Sequence, residues 1–252
     1  MNVDLLRSTW AEAQAYGDDL TAHFYTTLFG THPELRPLFP PNMVEQRSHI
    51  HAMINLVVRA DNLEAVIPRL QRLGRDHRGY GAVAAHFPVV VDTLVGLPDR
   101  PDDAPVPTLE FFLGDAWTVE TAATWREALD LVAGVMVRAG AEASAAGEPL
   151  GWTATVYRVD RDDDLVDLSI AVADYQCETG DSVPLSFPDQ PGSRRFGTVQ
   201  GWTADGSLTV VRLAVTDLDP VTVQFGLIEP GEQIHLGAPL EPLTEGENPH
   251  GG

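Results

Sequence analysis

Apolar residues in the first half of the chain recur at helical spacing. Leu5, Leu6, Trp10 and Ala13 share one face, and Phe24, Leu28 and Phe29 mark a second helix. Ile50, Met53, Ile54, Val57 and Val58 form an i, i+3, i+4, i+7, i+8 stripe. Leu63, Val66, Ile67, Leu70 and Leu73 predict a further helix, and Trp125, Leu129, Val132, Val135 and Met136 the last one. Repeated proline over residues 98–107 removes backbone donors and predicts a loop. Past Ala145-Ala146-Gly147 the period falls to two, as in residues 153–159 and 208–213. Turn residues punctuate this half at Asp181, Pro188-Asp189, Pro191-Gly192, Asp205-Gly206 and Pro230-Gly231. Asp205-Gly206, between Trp202 and Leu208, fits a hairpin turn. The pattern therefore predicts two domains: an all-helical one over about 1–146 and a small all-β barrel over about 150–243. A flexible tail, 244–252, follows.

Composition narrows the partners. Sixteen basic residues, every one an arginine, stand against 37 acidic ones, for a formal net charge of −21. That surface repels nucleic acid and anionic membrane. No apolar run reaches the ~20 residues that span a bilayer, and the N-terminus has no basic segment leading into an apolar one. A cytoplasmic protein is expected. A single cysteine, Cys177, excludes an internal disulfide framework and reads as a small buried hydrophobe in a strand-like stretch.

Two helical segments carry candidate chemistry. His77 closes an amphipathic helix in Leu73-Gly74-Arg75-Asp76-His77-Arg78-Gly79. Alone, such a histidine is more often a capping or surface residue than a metal ligand. Tyr25, and Gln46 one turn before Ile50 on the same face, could aim a hydroxyl and an amide into one pocket. There they could donate to a partly negative ligand.

The same segments resemble, in order and spacing, the globin domain of bacterial flavohaemoglobins. The matching stretches are Ala22-His23-Phe24-Tyr25-Thr26-Thr27-Leu28-Phe29, His32-Pro33-Glu34-Leu35-Arg36-Pro37-Leu38-Phe39 and Glu45-Gln46-Arg47. Leu73-Gly74-Arg75-Asp76-His77, Tyr80-Gly81-Ala82-Val83, His86-Phe87-Pro88-Val89-Val90 and Leu113-Gly114-Asp115-Ala116-Trp117-Thr118 continue the series. The resemblance implies a globin fold holding haem b, with His77 as the proximal iron ligand. It implies Tyr25 and Gln46 as the distal pair, Phe39 as an aromatic wedge on the porphyrin, and Ile50 as the apolar residue crowding the ligand. O2, NO and CO are the implied ligands. His49, His51 and His86 read as surface or structural. Two positions depart from the family: Phe87 stands where a tyrosine is usual, and Gly140 where a glutamate is usual, with Glu142 two residues on.

The second half resembles the flavin-binding barrel of ferredoxin-reductase-type enzymes more distantly. Residues 152–156 fit its first strand, 180–183 a turn, and 230–236 its closing strand. The flavin motif Arg-x-Tyr-Ser is replaced by Arg194-Arg195-Phe196-Gly197, which sets FAD binding in doubt and favours a barrel kept as a docking or stabilising module. No Gly-x-Gly-x-x-Gly follows, so electrons are expected from a separate reductase. Two functions stand: a nitric oxide dioxygenase-like oxidoreductase making nitrate, or a gas carrier or haem-based sensor that uses the β domain as an interaction module. A cofactor-free scaffold is the third reading.

Overall fold

The structure, a computed structural model, describes residues 1–40, 43–60, 63–190, 193–215 and 220–239. The Pro191-Gly192 turn and the tail from Thr244 lie outside the described residues. The chain divides into two compact units, Met1–Glu148 and Pro149–Gly252.

The first unit is helical: α1 (Val3–Ala13), α2 (Asp18–Thr31), α3 (Val44–Arg59), α4 (Leu63–Gly79), α5 (His86–Val95), α6 (Thr108–Leu113) and α7 (Val119–Ala145). Two of its helices start at a side-chain cap. Asn2 Oδ1 accepts from the Leu5 amide at 3.2 Å, and Thr118 Oγ1 from the Thr121 amide at 3.2 Å. Each predicted stripe turns inward. Leu6, Trp10, Phe24, Leu28, Ile54, Val58 and Trp125 join one apolar cluster. Val57, Val66, Leu70 and Met136 join a second. The buried indole nitrogens are satisfied by Thr9 Oγ1 (Trp125, 3.0 Å) and Asn55 Oδ1 (Trp10, 3.1 Å). Residues 96–107 form the proline-rich loop. It is tied down by Arg100 on Glu110 at 2.6 and 3.0 Å, and by Arg126 on Asp92 and the Gly96 carbonyl.

The second unit is a closed antiparallel barrel in the order β1-β2-β5-β4-β3-β6. The strands are β1 (Trp152–Asp162), β2 (Leu165–Val172), β3 (Ser182–Ser186), β4 (Arg195–Trp202), β5 (Thr209–Ala214) and β6 (Gln233–Leu236). Inward residues alternate with outward ones, so Ala154, Val156, Val166, Leu168, Ile170, Val199, Val211 and Leu213 fill the interior. A bulge between Val156 and Arg158 breaks the alternation of β1. The β4–β5 hairpin turns at Asp205-Gly206, where Gly206 takes φ +70°.

Two expectations need correction. The β domain contains a helix, α8 (Pro220–Leu227), with Val221, Thr222 and Phe225 buried. Its residues Pro-Val-Thr-Val-Gln-Phe-Gly-Leu favour a strand locally, and packing onto the barrel overrides that preference. Cys177 lies in the connection between β2 and β3, not in a strand. It still packs against the barrel core, and burial pushes its thiol pKa up. Among the described residues no helix is long and apolar enough to cross a membrane.

Candidate functional site

A buried polar contact of the helical unit joins α2 to α3. Gln46, in the first turn of α3, donates from Nε2 to Tyr25 Oη at 3.2 Å. The hydroxyl in turn approaches the Gln46 carbonyl at 3.4 Å, a long bond that an O–H rotor can leave. Tyr25 is 5% exposed. Burial pushes its pKa up to about 12, while the Gln46 bond pulls the other way, so at neutral pH it is a proton donor. An amide nitrogen carries two protons, and the Tyr25 bond uses one.

Aromatic packing holds this pair in place. Phe39 follows the 3-10 turn Pro33–Leu38, and its ring meets Tyr25 edge-on at 5.6 Å and Phe29 at 5.2 Å. Arg36 fixes that corner by donating to the Phe39 and Pro40 carbonyls, each at 3.0 Å. Its guanidinium also sits 5.3 Å from the Phe29 ring centre. Ile50, partly buried, packs onto the same cluster as Tyr25 and Phe39. The structure thus brings Tyr25, Gln46, Phe39 and Ile50 into one neighbourhood.

His77 and Phe87 form a second neighbourhood. The His77 ring lies 5.9 Å from Phe87, on α5, and 5.5 Å from Tyr80 in an edge contact. Its Nδ1 bonds the Leu73 carbonyl, one helical turn back, at 2.7 Å. A carbonyl can only accept, so Nδ1 carries the proton, and in the neutral ring Nε2 holds the lone pair. Phe87 and Leu73 pack with the second apolar cluster. Helix α3 is common to both neighbourhoods: Ile50, Ile54 and Val58 pack in the first cluster, and Met53, Leu56 and Val57 in the second.

Pattern reading missed the Leu73 carbonyl and Arg36. A backbone acceptor leaves no mark in side-chain spacing, and Arg36 lies in a 3-10 turn with no period to read. Two of the other histidines do structural work: His51 packs edge-on to Trp10 at 5.3 Å, and His86 Nδ1 accepts from the Val83 amide at 3.3 Å.

The barrel presents a different picture at the flavin-motif positions. Phe196 is exposed and has no hydroxyl. Gly197 is wedged: a Cβ there would lie 2.5 Å from Val211 Cγ1 and 2.9 Å from Leu185 Cδ1, so a serine requires both side chains to shift. Arg195 donates from Nε to Thr222 Oγ1 at 2.7 Å, joining β4 to α8. Neither Phe196 nor Gly197 carries a side-chain hydroxyl.

No family model matches the chain. Among curated proteins it is 28% identical over 154 residues to the flavohemoprotein of Halalkalibacterium halodurans, covering 59% of this chain and 35% of that protein. It is 33% identical over 109 residues to the flavohemoprotein of Bacillus anthracis, covering 39% of this chain and 27% of the relative. The matches therefore span about a third or less of those relatives. Among solved structures, the flavohemoglobin of Malassezia yamatoensis, determined with bound FAD and heme, aligns with a TM-score of 0.66 at 16% identity. That alignment covers 96% of this chain and 64% of the other. The chain is a relative of the flavohaemoglobins. At that coverage the flavohaemoglobin likeness takes in both units, a globin-like helical part and a six-stranded antiparallel barrel.

Proposed function

We propose that the helical unit is a haem-binding globin that takes up dioxygen and nitric oxide and oxidises nitric oxide to nitrate. The observation that carries this reading is the buried Tyr25–Gln46 pair, taken together with an imidazole whose proton is held on Nδ1. The residues fit the group. His77 offers the Nε2 lone pair, and Phe39, Ile50 and Phe87 offer apolar surface. Arg47, beside Gln46, has an Nε that is buried with no hydrogen-bond partner, a cation suited to a carboxylate edge.

When bound, haem supplies a redox-active iron that accepts a diatomic ligand. The protein's part is then to hold and orient. Leu73 fixes the His77 ring, and Arg36 fixes Phe39. Tyr25 and Gln46 turn their protons toward a ligand that gathers negative charge, at little reorganisation cost because both are already placed. The overall reaction, NO + O2 + e⁻ → NO3⁻, takes its electron from a reductase. CO is expected to bind at the same place without reacting. A second reading, reversible gas binding as a carrier or sensor with the barrel as an interaction module, is favoured by Phe87 beside His77.

The barrel is proposed to bind no FAD, on the strength of Phe196 and the wedged Gly197. Titration of the purified chain with FAD is expected to leave flavin fluorescence unquenched; stoichiometric quenching overturns this. For the globin reading, protein given haem should show a Soret band that responds to dithionite and CO. Nitric oxide should then discharge the dioxygen-loaded protein far faster than it decays alone. Decay indifferent to nitric oxide leaves the carrier reading in its place.

A further inference from the structure

Away from the candidate site, four rings meet at the surface of the helical unit. Tyr16, in the 3-10 turn Gln14–Tyr16 after α1, packs on Phe112 of α6 at 4.8 Å. Phe112 meets His23 of α2 edge-on at 5.6 Å. His23 stacks on Phe111 at 4.4 Å, with the ring planes 19° apart, and its Nδ1 lies 3.4 Å from Thr108 Oγ1. Leu109 and Leu113 already anchor α6 in the core. Phe111 is nevertheless 56% exposed and Tyr16 46%. Rings held by stacking on one side and open on the other add little to the fold, and they are what the centre of a protein interface uses.

The charges around these rings are of one sign. Neither α2 nor α6 contains an arginine. Asp19 lies one turn before His23 on the same face of α2. Asp115 lies four residues after Phe111, in the 3-10 turn Gly114–Ala116 that follows α6. Both carboxylates are exposed, and among the described residues neither has an ion pair. Arg100, which reaches α6, is taken up by Glu110 at 2.6 and 3.0 Å. Ring faces and carboxylates both attract cations. A second copy of this chain, at net charge −21, would bring the same carboxylates against these.

We infer that the Tyr16–Phe111 patch docks a cationic protein segment, an amphipathic helix with leucine along one face and arginine beside it. Leucine covers the rings, and arginine meets Asp19, Asp115 and the open ring faces. This surface does not depend on the haem reading.

The probe is a fluorescent peptide with leucine at i, i+3, i+4 and i+7 and arginine on the flanks. Its anisotropy is titrated with the full chain at about 0.15 M salt, where saturable one-to-one binding is expected. Phe111→Ser and Tyr16→Ser should each weaken binding about tenfold while circular dichroism stays unchanged. Asp19→Asn combined with Asp115→Asn should flatten the salt dependence. Asp160→Asn combined with Asp162→Asn removes the same charge from β1 of the barrel and should leave the affinity unchanged. Absence of saturable binding overturns the inference. So does equal weakening by Phe111→Ser and by the β1 pair, which reports general acidity. A dimer of the chain in sedimentation that Phe111→Ser dissolves also overturns it, and assigns the patch to a second copy.

Discussion

The two units build their interiors by the same means and differ in the polar groups they place around them. Both have dense apolar interiors, the helical one around Trp10, Phe24 and Trp125, the barrel around Leu168, Ile170 and Phe225. In the helical unit the polar atoms of the proposed site are held by hydrogen bonds: the Tyr25 hydroxyl to the Gln46 amide, and the His77 ring to the Leu73 carbonyl. At the barrel positions compared with the flavin motif stand Phe196, which is exposed, and Gly197, where a side chain would press on Val211 and Leu185. A fold rests on many interchangeable apolar contacts, whereas a site rests on a handful of atoms that have no substitutes.

The sharpest way to break the comparison is to remove one such atom set from each unit. His77→Ala should abolish the Soret band of haem-reconstituted protein. Arg194→Ala, at the flavin-motif arginine of the barrel, should leave that band unchanged. If both variants keep the band, the helical unit holds no His77-ligated haem. If both lose it, the units do not divide the chemistry in the way the side chains suggest.

Next in size are the two tight glycines. Gly74→Ala drives a Cβ to 2.2 Å from a backbone oxygen, so helices α4 and α7 must separate. A loss of about 3 kcal/mol is expected. Gly197→Ala meets side-chain atoms of Val211 and Leu185, which can shift, and about 1–2 kcal/mol is expected. Hydrogen exchange in urea, resolved peptide by peptide, reads the two units separately. A larger loss at Gly197 than at Gly74 would invert the ranking.

These glycines show what pattern could and could not reveal. Helices α1 to α4 and α7 were legible because Leu6, Trp10, Ile54, Val58 and Leu70 sit at 3.6-residue intervals. Tyr25, Gln46 and His77 were legible only through their surrounding motifs, since a lone histidine near a helix end has several ordinary uses. Helix α8 was illegible because β-branched Val221, Thr222 and Val223 point locally to a strand. The Leu73 carbonyl and the Gly74–Met136 contact were illegible for another reason. Both are backbone relations between residues whose side chains carry no signal.

A smaller effect sharpens the distal half of the helical unit. Tyr25→Phe removes the hydroxyl that accepts from Gln46 at 3.2 Å and leaves the amide without that partner. One hydrogen bond to a partly charged ligand is worth roughly 1.4 kcal/mol, so dioxygen should leave about tenfold faster, as read by stopped-flow displacement with CO. An unchanged rate would mean the hydroxyl does not face the ligand. The raised Tyr25 pKa adds a sign. Its folded value of about 12 exceeds its ordinary 10.0, so this contribution to stability is full below pH 10 and is lost as pH rises through 12. Tyr25→Phe should therefore flatten the alkaline limb of the stability profile.

The smallest effect belongs to the barrel and runs in the opposite pH direction. Asp205 Oδ1 accepts from Thr203 Oγ1 at 2.6 Å, from Ser207 Oγ at 2.7 Å and from the Ser207 amide at 3.1 Å. These bonds hold its pKa down to about 2, against an ordinary 3.8. A lowered folded pKa means the carboxylate stabilises the turn fully above pH 3.8, and the gain is lost as pH falls through about 2. The group is fully exposed, so Asp205→Ala should shift the urea midpoint of the barrel only slightly at neutral pH. That difference should shrink as the pH approaches 2, while the helical unit's midpoint stays in place. A gap that instead persists undiminished in acid would show that Asp205 acts through the turn's backbone shape and not through its charge.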